Sequence, residues 1–277
     1  MKKILVAATV MALFGAVQAQ TVSGTMRYDM TKVEDTALAT GIAKSEIVFG
    51  ASEDLGNGMS LTARMGLNGA ASGETVAGTD ATIAISGGFG TVTVGQLEIG
   101  NGIIDRAYAG APVIGTDGTV LAAAADKDMI KYALPAIGAF TVAVSGTRDV
   151  DATTSHAYTL GVSGAVAGID TGVDYTESTG RVRVSASAEV MGLTVGAGWS
   201  GRETDTADSR AVGVSMPIGA LTVGATRSSG DGSANEFGAS YALSKRTSVA
   251  YAYQTVSDNA TSANNVYTSR VRLQHTF

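Results

Sequence analysis

Apolar and polar residues alternate with a period of two along most of this chain, and that pattern limits what it can fold into. Residues 61–65, 140–144 and 158–162 alternate in this way, as do 181–186 and 249–253. Successive side chains of a β-strand face opposite sides, so each run predicts a strand with one apolar face and one polar or small face. After residue 19, no segment approaches the roughly 18 consecutive apolar residues of a membrane-spanning helix. The chain is therefore predicted to be all-β.

Short turns and longer polar segments alternate between the predicted strands. The longer segments include 202–208, 228–234 and 257–265. One short turn and one longer loop for each pair of strands is the connectivity of an up-and-down antiparallel sheet, and seven short turns predict sixteen strands. Only residues 121–128 have a composition that favours a helix. The short turns are expected at 55–58, 87–90, 135–138, 165–168, 191–192, 217–220 and 244–246.

The polar faces of these strands lack the charge of a water-soluble surface. Charged residues make up 16% of the chain and the mean hydropathy is +0.19, whereas a soluble domain is about 25% charged. A soluble sandwich or propeller would bury its apolar faces and show charged ones to water. An apolar exterior, a polar interior and an even strand number are instead typical of an outer-membrane barrel, which must close because an open edge would leave unpaired backbone in hydrocarbon. We predict a sixteen-stranded antiparallel transmembrane β-barrel with short periplasmic turns and long external loops.

The N-terminal segment has the features of a secretory signal peptide. Lys2 and Lys3 form a positive start, residues 4–17 are mostly apolar, and residues 17–19 give a small-residue cleavage pattern. The apolar stretch is shorter than the roughly 20 residues that a membrane-spanning helix needs. We therefore predict a cleaved signal peptide over residues 1–19 and a barrel over residues 20–277. Loss of the two lysines makes the mature barrel more acidic than the −6 of the full chain.

The longest connection lies between the strands predicted at 91–97 and 128–134. Residues 98–127 contain isoleucine, valine and leucine side chains that need a wall to pack on, and loops of this length in a compact fold are usually functional. We predict that this third loop folds into the barrel, with a short helix at 121–125, rather than lying in solvent outside. The candidate constriction residues on it are Glu98, Asp105, Arg106, Asp117 and Asp126.

Strand parity assigns a set of charged side chains to the lumen. An Arg or Lys side chain that faces lipid at mid-depth costs about 2–4 kcal/mol, which favours the inward assignment. Acids on an inward loop that face basic residues on the wall would create a transverse field that selects solutes by sign and size. Some of these charges can instead pair with one another or lie in the wide vestibules, and for Arg181 and Arg183 that alternative stays open. The candidate wall residues are Arg27, Glu46, Arg64, Lys131, Arg181, Arg183, Arg270 and Arg272.

Four segments resemble the general Gram-negative porins: residues 49–58, 86–95, 241–249 and 271–277, the last of which ends on an aromatic residue. The resemblance runs in order along the mature chain. It implies a homotrimeric porin in the outer membrane, surrounded by lipid and lipopolysaccharide, with a third loop that constricts the channel. It also implies that Phe277 belongs to the signal read by the barrel-assembly machinery. An interfacial girdle aromatic is the other interpretation of Phe277, and both can hold.

The chain departs from the resembled family at positions that bear on ion selectivity. Members usually carry basic residues where this chain has Glu46, Gly50, Gln96 and Gln274. These changes reduce the positive charge opposite the third loop, and the acidic net charge acts in the same direction. We therefore expect a weakly cation-preferring or nearly neutral pore rather than a strongly anion-selective one.

Enzymatic and nucleic-acid functions have little support in the sequence. The chain has no cysteine and two histidines, His156 and His275, so a transition-metal cluster with the usual spacings cannot be assembled. Residues 161–165 do not complete a nucleophile elbow, and an acidic chain without a basic stripe does not indicate nucleic acid. We expect no enzyme activity, cofactor or metal. The predicted function is passive diffusion of small hydrophilic solutes and ions across the outer membrane, and the alternatives are an adhesive or structural barrel acting through its surface loops and, third, a barrel hydrolase.

Overall fold

Sixteen antiparallel strands close into one barrel in the computed structural model, which describes residues 19–69, 77–97, 101–113, 127–147, 157–202, 208–230, 232–258 and 266–277. Each strand pairs with its neighbours in sequence, and the first strand pairs with the last, so the predicted fold class and strand number are confirmed. The strands are β1 (Ala19–Val33), β2 (Ala39–Gly56), β3 (Met59–Asn68), β4 (Ala77–Gly87), β5 (Gly90–Leu97), β6 (Lys127–Ala133), β7 (Phe140–Thr147), β8 (Ala157–Val166), β9 (Ile169–Thr176), β10 (Arg181–Val190), β11 (Leu193–Gly201), β12 (Ser209–Ile218), β13 (Leu221–Ser229), β14 (Gly232–Ala242), β15 (Thr247–Asp258) and β16 (Val266–Thr276).

The two faces of each strand differ as the alternating pattern predicts. On β12, Val212, Val214 and Met216 are exposed on the outside, whereas the alternate residues Ala211 and Ser215 are buried on the lumen side. Exposed apolar side chains of this kind occur around the whole wall, from Val22 on β1 to Leu273 on β16. An apolar band of this kind is stable in contact with lipid rather than water, which agrees with the predicted membrane location.

An α-helix, α1 (Asn101–Tyr108), lies in the connection between β5 and β6, and a 3₁₀ turn (Glu177–Thr179) joins β9 to β10. No helix in the described part of the chain is long and apolar enough to cross a membrane. The short helix predicted at 121–125 falls on residues that the structure does not describe. The helix-favouring composition extends to residue 128, but Lys127 and Asp128 belong to β6, where the backbone pairs with β5. Residues 121–126, like the predicted signal peptide up to residue 18, lie outside the described residues.

The seven short turns fall where the sequence predicts them, and all lie at one end of the barrel. Three of them, Asn57-Gly58, Ala167-Gly168 and Met191-Gly192, have positive φ at both central residues, which is the type I′ geometry that matches the twist of paired strands. The connections at the other end are less uniform than expected. A long loop over 228–234 is wrong, because β13 continues to Ser229 and β14 begins at Gly232, so that the two strands pair almost to their ends.

The barrel closes at its turn end through the C-terminal residue. The backbone N–H of Phe277 donates to the carbonyl oxygen of Gly24 at 3.1 Å, and the N–H of Gly24 donates to the carbonyl oxygen of Phe277 at 3.0 Å. The aromatic ring lies over Gly24, where an added Cβ would come within 2.9 Å of the ring atom Cε2. The ring also stacks on His275, with the ring centroids 6.5 Å apart. Phe277 therefore covers the seam between β1 and β16 from outside.

Removal of this ring should impair assembly more than removal of an ordinary girdle aromatic. We expect Phe277→Ala to lower the amount of folded, heat-modifiable protein in the outer membrane, because the seam loses its cover and the predicted assembly signal loses its aromatic residue. Quantitative immunoblots of unheated membrane samples measure this amount. Phe89→Ala, which removes an exposed aromatic ring at another turn, is the matched control. Equal folded amounts for the two variants would leave Phe277 with only the role of a girdle residue.

Candidate constriction of the channel

The third loop enters the barrel and packs on its inner wall. Ile103, Ile104, Ala107 and Tyr108 of α1 are all at most 7% exposed, and the helix contacts β9, β10, β11 and β12. Asp105, on the opposite side of the helix, is exposed to the lumen. These buried side chains recur at the spacing of one helix face. A helix of this length is marginal by itself, so packing on the wall stabilises it. The inward fold of the third loop is confirmed over residues 101–113.

Polar contacts fix this loop segment at three points along the wall. Arg106 Nε lies 3.0 Å from Asp170 Oδ2 on β9. Beyond the end of α1, the Ser215 hydroxyl of β12 donates to the carbonyl oxygen of Ala109 at 2.5 Å. Further along, Arg270 Nη2 of β16 donates to the carbonyl oxygen of Val113 at 3.2 Å. The segment therefore follows the wall from β9 round to β16, and the sequence gives no indication of the role of Ser215.

A groove lies between α1 and the wall on the side of the short turns. Its volume is about 420 Å³, and it is open to the lumen. Two acids, an arginine and several hydroxyl groups line it together with Ala109, Gly110 and Pro217. The lining includes Asp105, Arg106, Asp170, Ser187, Thr194 and Thr222.

The end strands β1 and β16 carry a cluster of mostly paired charges on their inner face. Arg272 donates two hydrogen bonds to Asp29, from Nε to Oδ1 at 2.8 Å and from Nη2 to Oδ2 at 2.6 Å. Arg270 Nε lies 3.8 Å from the same carboxylate. Arg27 Nε donates to Gln274 Oε1 at 3.3 Å. Gln274 stands where the resembled family usually has a basic residue, and here it orients the Arg27 side chain. We call these five residues the wall cluster.

The remaining wall residues of this side are distributed over β2, β3 and β6. Glu46 pairs with Lys44 at 3.0 Å, a lysine that sequence reasoning missed although its position on β2 shares the parity of Glu46. Arg64 lies opposite Gly50 in the register and 3.9 Å from Asp80, and half of its side chain is exposed. Lys131 is exposed on β6, paired in register with Thr93 and Ser145. By the strand order, β2 and β3 lie roughly across the barrel from α1, and β6 lies between them and β9.

Arg181 and Arg183 lie on β10, on the side that carries α1. Both face inward, but Arg183 is only 2% exposed and its Nε donates to Asp174 Oδ1 at 2.7 Å. Arg181 Nη1 donates to the hydroxyl of Ser200 at 3.0 Å. For Arg183, the alternative of a charge paired within the wall therefore describes its environment. Arg183 therefore stabilises the wall beside the loop, and its charge is not exposed to the open channel.

Of the five candidate constriction residues, the structure describes Asp105 and Arg106, both on α1. Glu98, Asp117 and Asp126 lie outside the described residues. The predicted loop boundary at residue 127 differs by one residue from the structure, because β6 begins at Lys127.

Comparisons with known proteins agree with this architecture. A family model described as Gram-negative porin matches residues 7–261. The chain belongs to the Gram-negative porin family. A porin of this family is a multi-pass β-barrel channel of the outer membrane for the passage of small solutes and ions, and the closed barrel with an inward loop is the corresponding fold.

Solved porin structures share the fold at low sequence identity. A triple mutant of the Rhodopseudomonas blastica porin matches with a TM-score of 0.71 and 18% identity, over 94% of this chain and 100% of that chain. A loop-deletion mutant of OmpT, an outer membrane protein of Vibrio cholerae, matches with a TM-score of 0.72 and 12% identity, over 94% and 99% of the two chains. No curated protein matches the sequence. At these identities the structural likeness shows the fold alone.

The buried pair of Arg183 and Asp174 yields a stability prediction. Arg183→Met would leave the Asp174 carboxylate buried without its cation, a change that costs about 3–5 kcal/mol in protein interiors. We expect this porin variant to lose its folded, fast-migrating form at a lower temperature in detergent gels. Arg64→Met is the matched control, because its ion pair with Asp80 is exposed and such pairs contribute about 0–1 kcal/mol.

A second substitution separates the ion pair from the arginine side chain itself. Addition of Asp174→Asn to Arg183→Met removes the unpaired carboxylate, so part of the lost heat resistance should return. If Arg183→Met unfolds at the same temperature as Arg64→Met, the pair does not stabilise the wall.

Proposed function

We propose that solutes cross this porin through the space between α1 and the wall formed by β16 and β1 to β6. The observation that carries the proposal is the course of residues 101–113, which follow the inner wall from β9 to β16, so that the described part of the loop leaves β1 to β6 uncovered. Exposed, water-accessible charges line both sides of this space, namely Asp105 on α1 and Arg64 and Lys131 on the wall. A passage with polar sides suits small hydrophilic solutes and ions.

The electrostatic field across this passage is weak, because many of its charges are already paired. Asp29 offsets positive charge of the wall cluster, and Asp170 offsets that of Arg106. Two unit charges 4 Å apart interact by about 1 kcal/mol in water, and physiological salt screens them over about 8 Å. We therefore retain the expectation of a weakly cation-preferring or nearly neutral pore.

The family context supports further parts of the proposal. The porin works as a channel without catalysing a reaction, as a homotrimer embedded in outer-membrane lipid and lipopolysaccharide. Its barrel is inserted by the barrel-assembly machinery, which reads the C-terminal segment that ends at Phe277. The predicted signal peptide delivers the chain to the periplasm.

Channel activity is tested by adding the purified protein to planar lipid bilayers in KCl. We expect discrete conductance steps with a linear current–voltage relation, because a polar passage through a rigid barrel conducts ions passively. A homotrimer would also show steps in multiples of three, and crosslinking in detergent would give a trimer band. Protein that is folded and heat-modifiable but electrically silent would instead favour an adhesive or structural barrel.

Ion selectivity depends on the charge of Asp105 if this residue lines the passage. Asp105→Asn should move the reversal potential in a KCl gradient toward chloride by a modest amount that shrinks as salt rises, since a charge that acts through water is screened. Glu53→Gln is the control, because Glu53 pairs with Leu61 on the outer face and its loss removes the same charge from outside the lumen. The same shift in both variants, or none in either, would place Asp105 away from the ion path, and a strong chloride preference of the wild type would falsify the near-neutral expectation.

A further inference from the structure

Five glycines lie on the inner face of the wall beneath the third loop. They occur on β9 and on the four consecutive strands β11 to β14, and the register pairs Gly196 with Gly213 and Gly224 with Gly238. On β10, between the first two, the equivalent small residues are Ser185 and Ser187. We call the five glycines the glycine seat: Gly172, Gly196, Gly213, Gly224 and Gly238.

Each glycine of the seat touches a successive part of the loop. A Cβ at Gly172 would lie 2.8 Å from Arg106 Nη1, and one at Gly213 would lie 2.5 Å from the carbonyl carbon of Tyr108. A Cβ at Gly224 would lie 2.7 Å from Cβ of Ala111. Cβ atoms at Gly196 and Gly238 would overlap the carbonyl oxygens of Arg106 and Pro112. The loop backbone thus lies directly on the wall backbone over four strands.

Backbone conformation does not explain these glycines. None of the five has the positive φ that favours glycine, although eleven other described glycines do. Glycine in the middle of a strand weakens it, and it is found there where another backbone approaches closely. What they provide here is space, because the atoms nearest to an added Cβ at Gly172, Gly196 and Gly213 all belong to the loop.

Gly161 on β8 shows that the close approach is specific to the loop. It lies on the lumen side of the wall, opposite Asp174 in the register, one strand away from the seat. A Cβ at Gly161 would meet nothing nearer than 3.9 Å, which is ordinary contact. Gly161 is therefore an inner-wall glycine that does not touch the loop.

We propose that the glycine seat sets the distance between the third loop and the wall and thereby determines the width of the channel. A methyl group at Gly213 would fall about 1 Å short of ordinary contact with Tyr108. The wall cannot yield by that amount, because the strands are hydrogen-bonded on both sides around a closed barrel. The loop must therefore move into the lumen, and every added atom on the seat narrows the passage.

This inference rests on the proposed passage, and a graded series of alanine substitutions in the full-length porin tests it. The readouts are single-channel conductance in planar bilayers and the amount of heat-modifiable protein. Gly161→Ala should match the wild type. Gly172→Ala, which meets only side chains of the loop, should lower conductance slightly, and Gly213→Ala and Gly196→Ala, which meet its backbone, should lower it further or reduce assembly.

The outcomes separate the seat from the channel function itself. A wild type that does not conduct refutes the proposed passage, whereas a conducting wild type with equal conductance in all folded variants refutes the seat. Equal losses in Gly161→Ala and Gly213→Ala also refute it, because they would reflect glycine in a strand and not contact with the loop. If Gly196→Ala and Gly213→Ala do not assemble, the comparison of Gly172→Ala with Gly161→Ala decides: a lower conductance in the former supports the seat, and equal values overturn it.

Discussion

The hydrogen-bonding requirement of the backbone in hydrocarbon is the constraint on which this structure depends. Lipid offers no partner to an N–H or C=O group, so a sheet that crosses the membrane must pair every strand on both edges. The pairing of β1 with β16 satisfies this requirement, and Phe277 completes it by exchanging two backbone hydrogen bonds with Gly24. A wall built in this way has a fixed circumference. The width of the passage is then adjusted by what lies inside the wall, which gives the third loop its importance.

The inner wall is divided between two tasks that need different residues. From β9 to β14 it carries glycine, alanine and serine, which let a backbone segment lie against it, and its charged residues, such as Arg183 and Asp174, are paired with each other. On β3 and β6 it carries Arg64 and Lys131, which are exposed, and on β1 it carries the half-buried Arg27. This division explains why the charged residues that strand parity assigns to the lumen do not all have the same role. Asp170 on β9 and Arg270 on β16 hold the loop. Arg183 is paired within the wall, and Arg64 and Lys131 border the passage.

Local sequence patterns predicted most of the fold. The features that they did not predict depend on contacts between residues that are distant in the sequence. The strands and short turns were predictable because alternation and turn residues are properties of neighbouring positions. The helix α1 was not, because its Ile103, Ile104 and Tyr108 are stabilised by a wall that the chain reaches only after several more strands. Parity gave the inward direction of Arg183 but not its burial, which depends on Asp174 of the adjacent strand. The glycine seat had a signal, since mid-strand glycines of one parity indicate a close backbone approach, but the pattern acquires meaning only when the register aligns them.

The pairing of charges inside the barrel shifts selection from sign toward size. Asp29, Asp170 and Asp174 each hold an arginine within 3.0 Å, so these arginines present less net charge to a passing ion than their number suggests. Unpaired charges act through water, where a neighbouring unit charge contributes about 1 kcal/mol and salt screens it. Contact with the loop is not screened, because atoms resist overlap at any salt concentration, and the loop is held in place by backbone contacts on a closed wall. A solute therefore meets a weak electrostatic preference and a firm steric limit. The position of the loop on the glycine seat determines this steric limit.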